Sequence, residues 1–380
     1  MTAAVGEFFA RHAKDGQLTA EGMANAMEEM SKVNDPLMRR GLFNALLENL
    51  NRDNAAAAYT ALLKHKGRPG HGEELRLLAN VWGRLDPLGA MDSIMKIRLP
   101  LHSGHASIED TTNPEMVEIL AGWAMTDPDG ASRHVAGLKD PDRKEMLANG
   151  IVRGLLARGT DQALAYVSAI PATKENLKAR QRYIGMIAND VVTQHGFEYA
   201  AKWIETIADP SLKGSGLAQI AGSTTKWDDL ASWVTPYAGE DYAKEAIAVF
   251  ARRWGNLEPG AVITWADENF PEAGREIAYR EAFGGWTRMD AAAASEVLVK
   301  MPPSRLRDTA VGEFAKVLAP EEPASAVKWA ETIADQARRT EALVAVAQTW
   351  LKSDTAAAMD WLARSSLPEA SVQKVLATKR

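Results

Sequence analysis

The sequence TWLKSDTAAAMDW, residues 349–361, holds two tryptophans eleven positions apart and contains the pattern that decides the fold. Just before it, Ala342, Val346 and Trp350 lie at helical spacing, which predicts a helix with one apolar stripe. The residues Leu-Lys-Ser-Asp then interrupt the stripe. Asp354 is suited to accept hydrogen bonds from the free N–H groups of a second helix, which contains Trp361. The stretch therefore predicts a helical hairpin.

The second tryptophan of this hairpin marks a position that recurs every 32 residues, here called the anchor position. In the C-terminal half the anchors are Trp233, Trp265, Val297, Trp329 and Trp361. With some slack in the interval, the series extends backwards to Trp203, Tyr166, His134, Ser93, Tyr59 and Met23. Eleven residues before an anchor lie Trp82, Trp123, Trp254, Trp286 and Trp350. Ten of the eleven tryptophans occupy these two positions, which indicates a structural repeat and argues against a ligand-stacking platform.

A small residue accompanies the anchor three positions earlier in nine of the eleven units. These residues are Ala20, Ala56, Ala90, Ala131, Ala163, Ala200, Ala294, Ala326 and Ala358, and the exceptions are Leu230 and Val262. Residues three apart share a helix face, so the small residue lets a paired helix approach while the anchor fills the space beside it. We therefore predict an all-α fold, an α-solenoid of about eleven two-helix repeats that forms a single domain over residues 1–380.

The hairpin sequence AQTWLKSDTAAAMDWLARSSLP, residues 347–368, resembles the tetratricopeptide-like repeats of the α-solenoid superfamily. The shared features are a large residue near the end of the first helix, alanine and an aromatic residue in the second, and proline at the boundary between helices. The interval of 32 residues departs from the usual period of about 34, and HEAT-like hairpins are an alternative. The resemblance implies a right-handed superhelix with a concave binding groove and no chemistry of its own.

The composition excludes several classes of partner and site. The chain has 44 lysines and arginines against 50 aspartates and glutamates, and this net charge of −6 predicts no nucleic-acid partner. It contains no cysteine, which excludes disulfides, thiolate metal ligands and cysteine nucleophiles. No apolar run reaches the roughly 18 to 20 residues of a membrane span, so we predict none.

The longest interval between anchors, from Ser93 to His134, exceeds the common period by nine residues. The excess falls in residues 97–115, which predict a protruding loop and a possible binding site. Within it, His102, His105, Glu109 and Asp110 are the one cluster that resembles a set of metal ligands. Because His-x-x-His is common by chance, a surface loop is the favoured interpretation, and we predict no metal and no cofactor. A smaller excess falls in residues 169–178.

Trp227 is the one tryptophan outside the two repeat positions. It is followed by Asp228 and Asp229, and it lies in a unit shortened to 30 residues. Two interpretations remain open: Trp227 lines a surface groove, or it provides extra packing in the short unit.

The sequence contains no phosphate loop, dinucleotide fingerprint, HExxH motif, nucleophile elbow or EF-hand loop. The sequence DPDG at residues 127–130 fits a helix cap. We assign no catalytic residue, and the leading prediction is a non-enzymatic scaffold that binds a protein or peptide on its concave surface. The alternative is a superhelical enzyme that acts on polysaccharide or cell-wall glycan, with Glu109 and Asp110 as general acid and base.

The chain start repeats a later sequence, because residues 5–8 and residues 311–314 both read Val-Gly-Glu-Phe. This distance of 306 residues maps Ala20 onto Ala326 and Met23 onto Trp329. It predicts that the first helix lacks its opening turn, as in an excised piece or a trimmed precursor. The compartment is left open between the cytoplasm and export after loss of a targeting segment, as are the oligomeric state and the partner.

Overall fold

The computed structural model describes residues 2–65, 70–98 and 114–377. These residues form an all-α fold with 23 α-helices and no β-strand among them, as the sequence predicts. The helices group into two compact units, residues 1–187 and 188–380. The prediction of one continuous domain stays a prediction, and each unit is described by itself.

The first unit contains ten helices and the beginning of an eleventh, among its described residues. The helices are α1 (Thr2–His12), α2 (Ala20–Met30), α3 (Pro36–Glu48), α4 (Ala55–Leu63), α5 (His71–Leu85), α6 (Pro87–Arg98), α7 (Pro114–Thr126), α8 (Pro128–Ala136), α9 (Pro141–Leu156), α10 (Thr160–Ala169) and α11 (Leu177–His195). The division between the units falls within α11.

The second unit continues from the end of α11 with twelve further helices in its described part. They are α12 (Phe197–Trp203), α13 (Pro210–Ala221), α14 (Trp227–Val234), α15 (Lys244–Gly255), α16 (Pro259–Asn269), α17 (Glu272–Met289), α18 (Ala291–Lys300), α19 (Arg305–Leu318), α20 (Pro323–Glu331), α21 (Gln336–Ser353), α22 (Thr355–Arg364) and α23 (Glu369–Leu376).

The helices follow one another in pairs, and their packing partners are neighbours along the chain. Each odd-numbered helix up to α21 is a first helix, and the even-numbered helix after it is a second helix, which gives eleven pairs followed by α23 within the described ranges. All eleven anchor residues lie in second helices. In the second unit, α13, α15, α17, α19, α21 and α23 pack successively on one another, and the second helices lie against this row. The arrangement is compatible with a helical repeat array.

Aspartate and proline begin many of these helices, as the sequence predicts. The side chain of Asp354 accepts a hydrogen bond from the Ala357 backbone N–H at 3.0 Å, and that of Asp127 accepts one from Gly130 at 2.9 Å. Each aspartate satisfies a donor that the first turn of a helix leaves free. The first residues of four second helices are Pro87, Pro128, Pro259 and Pro323. A proline is tolerated there because its missing N–H has no partner within the helix.

The two tryptophans of residues 349–361 pack on each other across the hairpin. The ring centroids of Trp350 and Trp361 lie 6.3 Å apart, and both side chains are half-buried. Equivalent pairs of rings occur in two other hairpins: Trp254 with Trp265 at 6.5 Å, and Trp123 with His134 at 5.3 Å. The recurring aromatic positions therefore hold the two helices of a hairpin together.

The predicted register is correct in the nine pairs from α5–α6 onwards. In each of these second helices, the small or branched residue is the fourth residue of the helix and the anchor is the seventh. The fourth residue has no exposed surface in any of the nine. The same buried packing position therefore lies at the same distance from the helix start in all nine helices, as expected for a repeated pattern.

The register predicted for the first two pairs is wrong, by three residues in α2 and by two in α4. Their fourth residues are Met23 and Ala58, which are fully buried, whereas Ala20 is exposed and Ala56 is only half-buried. In α2 the cause is turn length, because residues 13–19 join α1 to α2, whereas residues 319–322 join α19 to α20. Ala20 therefore does not correspond to Ala326.

Three first helices of the first unit, α5, α7 and α9, approach one another at glycine residues. A Cβ atom at Gly122 in α7 would lie 2.0 Å from the carbonyl oxygen of Asn80 in α5. A Cβ atom at Gly154 in α9 would lie 2.3 Å from the carbonyl oxygen of Ala121 in α7. These distances are far below van der Waals contact, so only glycine allows the helix backbones to pack this closely.

Candidate functional site

A groove opens on the row of first helices in the second unit, and all its lining residues belong to α17, α19 and α21. Its volume is about 280 Å³. The lining residues are Arg280, Asp308, Thr309, Gly312, Glu313, Lys316, Arg338, Glu341, Ala342 and Ala345. The site is thus built from three consecutive helix pairs, and every helix contributes at least one charged side chain.

The floor of the groove is made of small residues, with Gly312 on α19 and Ala342 and Ala345 on α21. Gly312 lies in the middle of α19. Its surroundings differ from those of Gly122. A Cβ atom at Gly312 would meet only the Cδ1 atom of Ile333, at 3.9 Å, which is an ordinary contact distance. Packing within the protein therefore does not require glycine at this position.

One carboxylate joins the three helices beside the groove. Glu276 on α17 accepts a hydrogen bond from Arg338 on α21 at 2.9 Å, and it pairs with Arg305 at the start of α19. The Glu276 side chain is only 13% exposed. Burial alone would raise its pKa, but the hydrogen bond from Arg305 and the charge of Arg338 outweigh burial and lower the pKa overall. Glu276 therefore links α17 to both α19 and α21.

We expect Glu276→Gln to lower the free energy of unfolding at pH 7 by about 1–3 kcal/mol, because two arginines lose a charged acceptor. The lowered pKa means that ionised Glu276 stabilises the fold above its unfolded pKa of about 4.3. The difference from the parent chain should disappear as the pH falls through the folded pKa. Urea unfolding between pH 3 and pH 7 measures it.

Glu272→Gln is the matched control for this prediction. The Glu272 side chain is 62% exposed and lies 3.6 Å from the same arginine, Arg305. An exposed pair of this kind contributes little, so a change below about 0.5 kcal/mol is expected at every pH. Equal effects of the two substitutions would contradict a role for the buried bridge.

A second carboxylate fixes the wall of the groove to the turn before α21. Asp308 is buried and accepts hydrogen bonds from the backbone N–H groups of Ala334 and Asp335, both at 2.9 Å. Next to it, the Thr309 hydroxyl accepts a hydrogen bond from Arg338 at 2.6 Å. The Asp308 carboxylate and the Thr309 hydroxyl are therefore already bonded within the protein, so the groove wall is preorganised.

The rim of the groove carries two exposed charges of opposite sign, Arg280 on α17 and Glu341 on α21. No hydrogen bond or ion pair joins either side chain to another residue in the described part of the chain. By contrast, the third exposed charge, Lys316, lies 3.2 Å from the Glu313 carboxylate. Arg280 and Glu341 are therefore the rim groups that can pair with a ligand without breaking a hydrogen bond or a close ion pair, although the charge of Arg280 also acts on the neighbouring Glu281 carboxyl group.

Glu281, which follows Arg280 in α17, is a half-buried carboxyl group. Burial raises the pKa of Glu281, the Glu313 charge raises it further, and Arg252 at 3.6 Å opposes both effects. Glu281 does not line the groove. Arg252 on α15 and the neighbouring Arg280 are the cations that favour its charged form.

The first unit has a cavity of about 410 Å³ among α8, α9, α10 and α11. Tyr166 and Tyr183 line it, together with Ile170, Glu175 and Asn176 from the region of the smaller sequence excess. Burial raises the pKa of Tyr183 to about 12, so its hydroxyl stays protonated at neutral pH. The inserted residues therefore shape a cavity, but its mixed lining does not define a chemical class of ligand.

The residues that the sequence singles out do not form this groove. His102, His105, Glu109 and Asp110 lie outside the described residues, so their site stays a prediction. Trp227 is half-buried as the first residue of α14 and does not line the groove. Its ring is parallel to that of Trp254, with centroids 6.5 Å apart.

The guanidinium group of Arg253 lies over the Trp227 ring, 5.5 Å from its centroid. The same guanidinium donates hydrogen bonds to the carbonyl oxygens of Ala221 and Thr224, at 3.0 and 2.8 Å. Trp227 therefore has packing partners in Trp254 and Arg253, and its use as a groove residue stays a prediction.

Sequence reasoning does not find the groove, although one signal is present. The repeated Val-Gly-Glu-Phe sequence includes Gly312 and Glu313, but in the sequence analysis it serves only as a register marker. A glycine in the middle of an apolar helical pattern is a recognised sign of a packing or functional constraint.

No family model, curated protein or solved structure matches the chain. Among the described residues, no helix combines the length and the apolar character that crossing a membrane requires. The same part of the chain holds no group of three or more histidine, aspartate or glutamate residues placed to hold a metal ion.

Proposed function

We propose that this chain is a non-enzymatic interaction scaffold, an α-solenoid similar to tetratricopeptide-like arrays, that binds a protein or peptide on its first helices. The observation that carries the proposal is the groove across α17, α19 and α21, with its small floor residues and charged rim. A surface built from consecutive repeats suits an extended partner, because each repeat adds contacts along the same direction.

The chemistry of the groove supports a protein partner. The rim carries both signs of charge, in Arg280, Lys316, Glu313 and Glu341, so it does not present the basic stripe that a phosphate backbone requires. The enzymatic alternative depends on Glu109 and Asp110, which lie outside the described residues. No contact of the described residues favours that alternative.

Photo-crosslinking tests the proposal. A photoreactive benzoylphenylalanine replaces Lys316 in the groove, and in the control chain it replaces Lys300, which is exposed on the second helix α18. After irradiation in a lysate of the source cells, we expect a discrete protein to be joined to the chain at position 316 and not at position 300. The same products at both positions, or none at either, would contradict a binding face on the first helices.

A further inference from the structure

Gly312 is a glycine that the fold itself does not explain. Glycine weakens the interior of a helix relative to alanine, and natural sequences usually keep it where a neighbouring backbone approaches. Gly122 is such a case, because a Cβ atom there would lie 2.0 Å from a carbonyl oxygen. At Gly312 the nearest heavy atom to such a Cβ is a flexible side-chain methyl group at 3.9 Å. The glycine therefore leaves room above the helix that nothing in the protein fills.

We infer that the groove binds an extended peptide whose main chain crosses α19 at Gly312, with an acidic side chain at Arg280 and a basic side chain at Glu341. This inference rests on the proposed function and specifies the ligand of the same site. A peptide main chain can approach a helix closely only where no Cβ stands in the way, and Gly312 is the position on the floor that meets this condition.

The order of charges across the groove defines the pattern of the peptide. Arg280 lies on α17, Gly312 on α19 and Glu341 on α21, so the two exposed charges lie on opposite sides of the glycine. Packed helix axes are about 8–10 Å apart, and an extended chain advances about 3.3 Å per residue. Arg280 and Glu341 lie on α17 and α21, which are separated by α19, and both side chains lean inwards. The acidic and the basic side chain of the peptide should therefore be about five residues apart.

The other charged groups of the groove already have partners within the protein. Lys316 pairs with Glu313, Arg338 is bonded to Glu276 and Thr309, and Asp308 is bonded to the turn before α21. A peptide with two acids would meet Glu341 with a like charge, and one with two bases would meet Arg280. Charge repulsion of this kind is an effective source of specificity.

Selection from a random peptide library tests the inference. The intact chain is immobilised, phage-displayed random 12-residue peptides are selected on it, and the affinities of synthetic copies are measured by fluorescence anisotropy. We expect the selected peptides to carry one acid and one base about five residues apart. Arg280→Glu should instead select peptides with two bases, and Glu341→Arg should select peptides with two acids.

Gly312→Leu is the variant that addresses the floor of the groove. The open space at this position allows the chain to fold, which circular dichroism and thermal unfolding check. We expect it to weaken binding of the selected peptides at least tenfold, and Gly312→Ala to weaken it by less. If the selected peptides lacked the charge pattern and bound Gly312→Leu with the same affinity as the parent chain, this inference would be overturned. The proposed function would still stand. Failure to select any peptide would overturn the inference. If the photo-crosslinking experiment also gave no product at position 316, both the inference and the proposed function would be overturned.

Discussion

Gly122→Ala is expected to lower the free energy of unfolding by about 3 kcal/mol or more, although it adds a single methyl group. The added Cβ would lie 2.0 Å from the carbonyl oxygen of Asn80, and a backbone atom cannot rotate away as a side chain can. Helices α5 and α7 would have to separate, and the packing between them would be lost along their whole contact. Urea unfolding followed by circular dichroism measures the change.

Gly312→Ala is the matched control, because it makes the same chemical change in another first helix. The new methyl group meets only a contact of 3.9 Å, so the higher helix propensity of alanine should raise the stability by about 0.5–1 kcal/mol. The two substitutions are therefore expected to have opposite signs. A loss of stability at Gly312 as large as that at Gly122 would show that Gly312 has a packing role that the contacts do not reveal.

The helical class and the hairpins could be predicted from the sequence because their determinants are local. Trp350 and Trp361 lie eleven residues apart, and the helix start at Asp354 lies between them, so one hairpin contains all the information needed. The caps at Asp127 and Asp354 and the prolines at helix starts are equally local, because each acts on the next turn of its own helix.

The register failed where the chain departs from its own period. In the first two pairs, α2 and α4 pack directly on each other, and Met23 and Tyr59 are fully buried. The turn at residues 13–19 is longer than its counterpart and contains Asp15 and Gly16 with positive φ angles of 51° and 78°. A fixed period cannot predict a change in turn length, and an aromatic or large apolar residue fits several buried positions equally well.

The groove could not be predicted because its parts come from different helix pairs. Arg338 and Glu276 bond across 62 residues, and the exposed pair of Arg280 and Glu341 lies across the same three helices. Periodicity tells which residues share a helix face, but it does not tell which charged neighbours become paired and which stay available. The candidate site predicted from the sequence lies instead in residues 97–115, most of which are outside the described residues.

Asp308→Ala is expected to lower the free energy of unfolding by about 2–4 kcal/mol. The buried carboxylate accepts two backbone hydrogen bonds at 2.9 Å, from Ala334 and Asp335, and these bonds join α19 to the turn that begins α21. Alanine removes both acceptors and leaves two N–H donors without a partner in the turn. Asp308→Asn, which keeps one side-chain oxygen, should lose about half as much. Thermal unfolding of the three chains measures the order.

Asp335→Ala separates this effect from ordinary helix capping. Asp335 is exposed at the start of α21, and its side chain accepts one hydrogen bond from the Arg338 backbone N–H at 2.9 Å. Loss of such a cap costs about 1 kcal/mol, so Asp335→Ala should be clearly less harmful than Asp308→Ala. An equal or larger loss at Asp335 would mean that the turn is held by its own cap. A larger loss at Asp308 would mean that α19 holds the turn before α21 through a buried carboxylate, which keeps the groove wall in place.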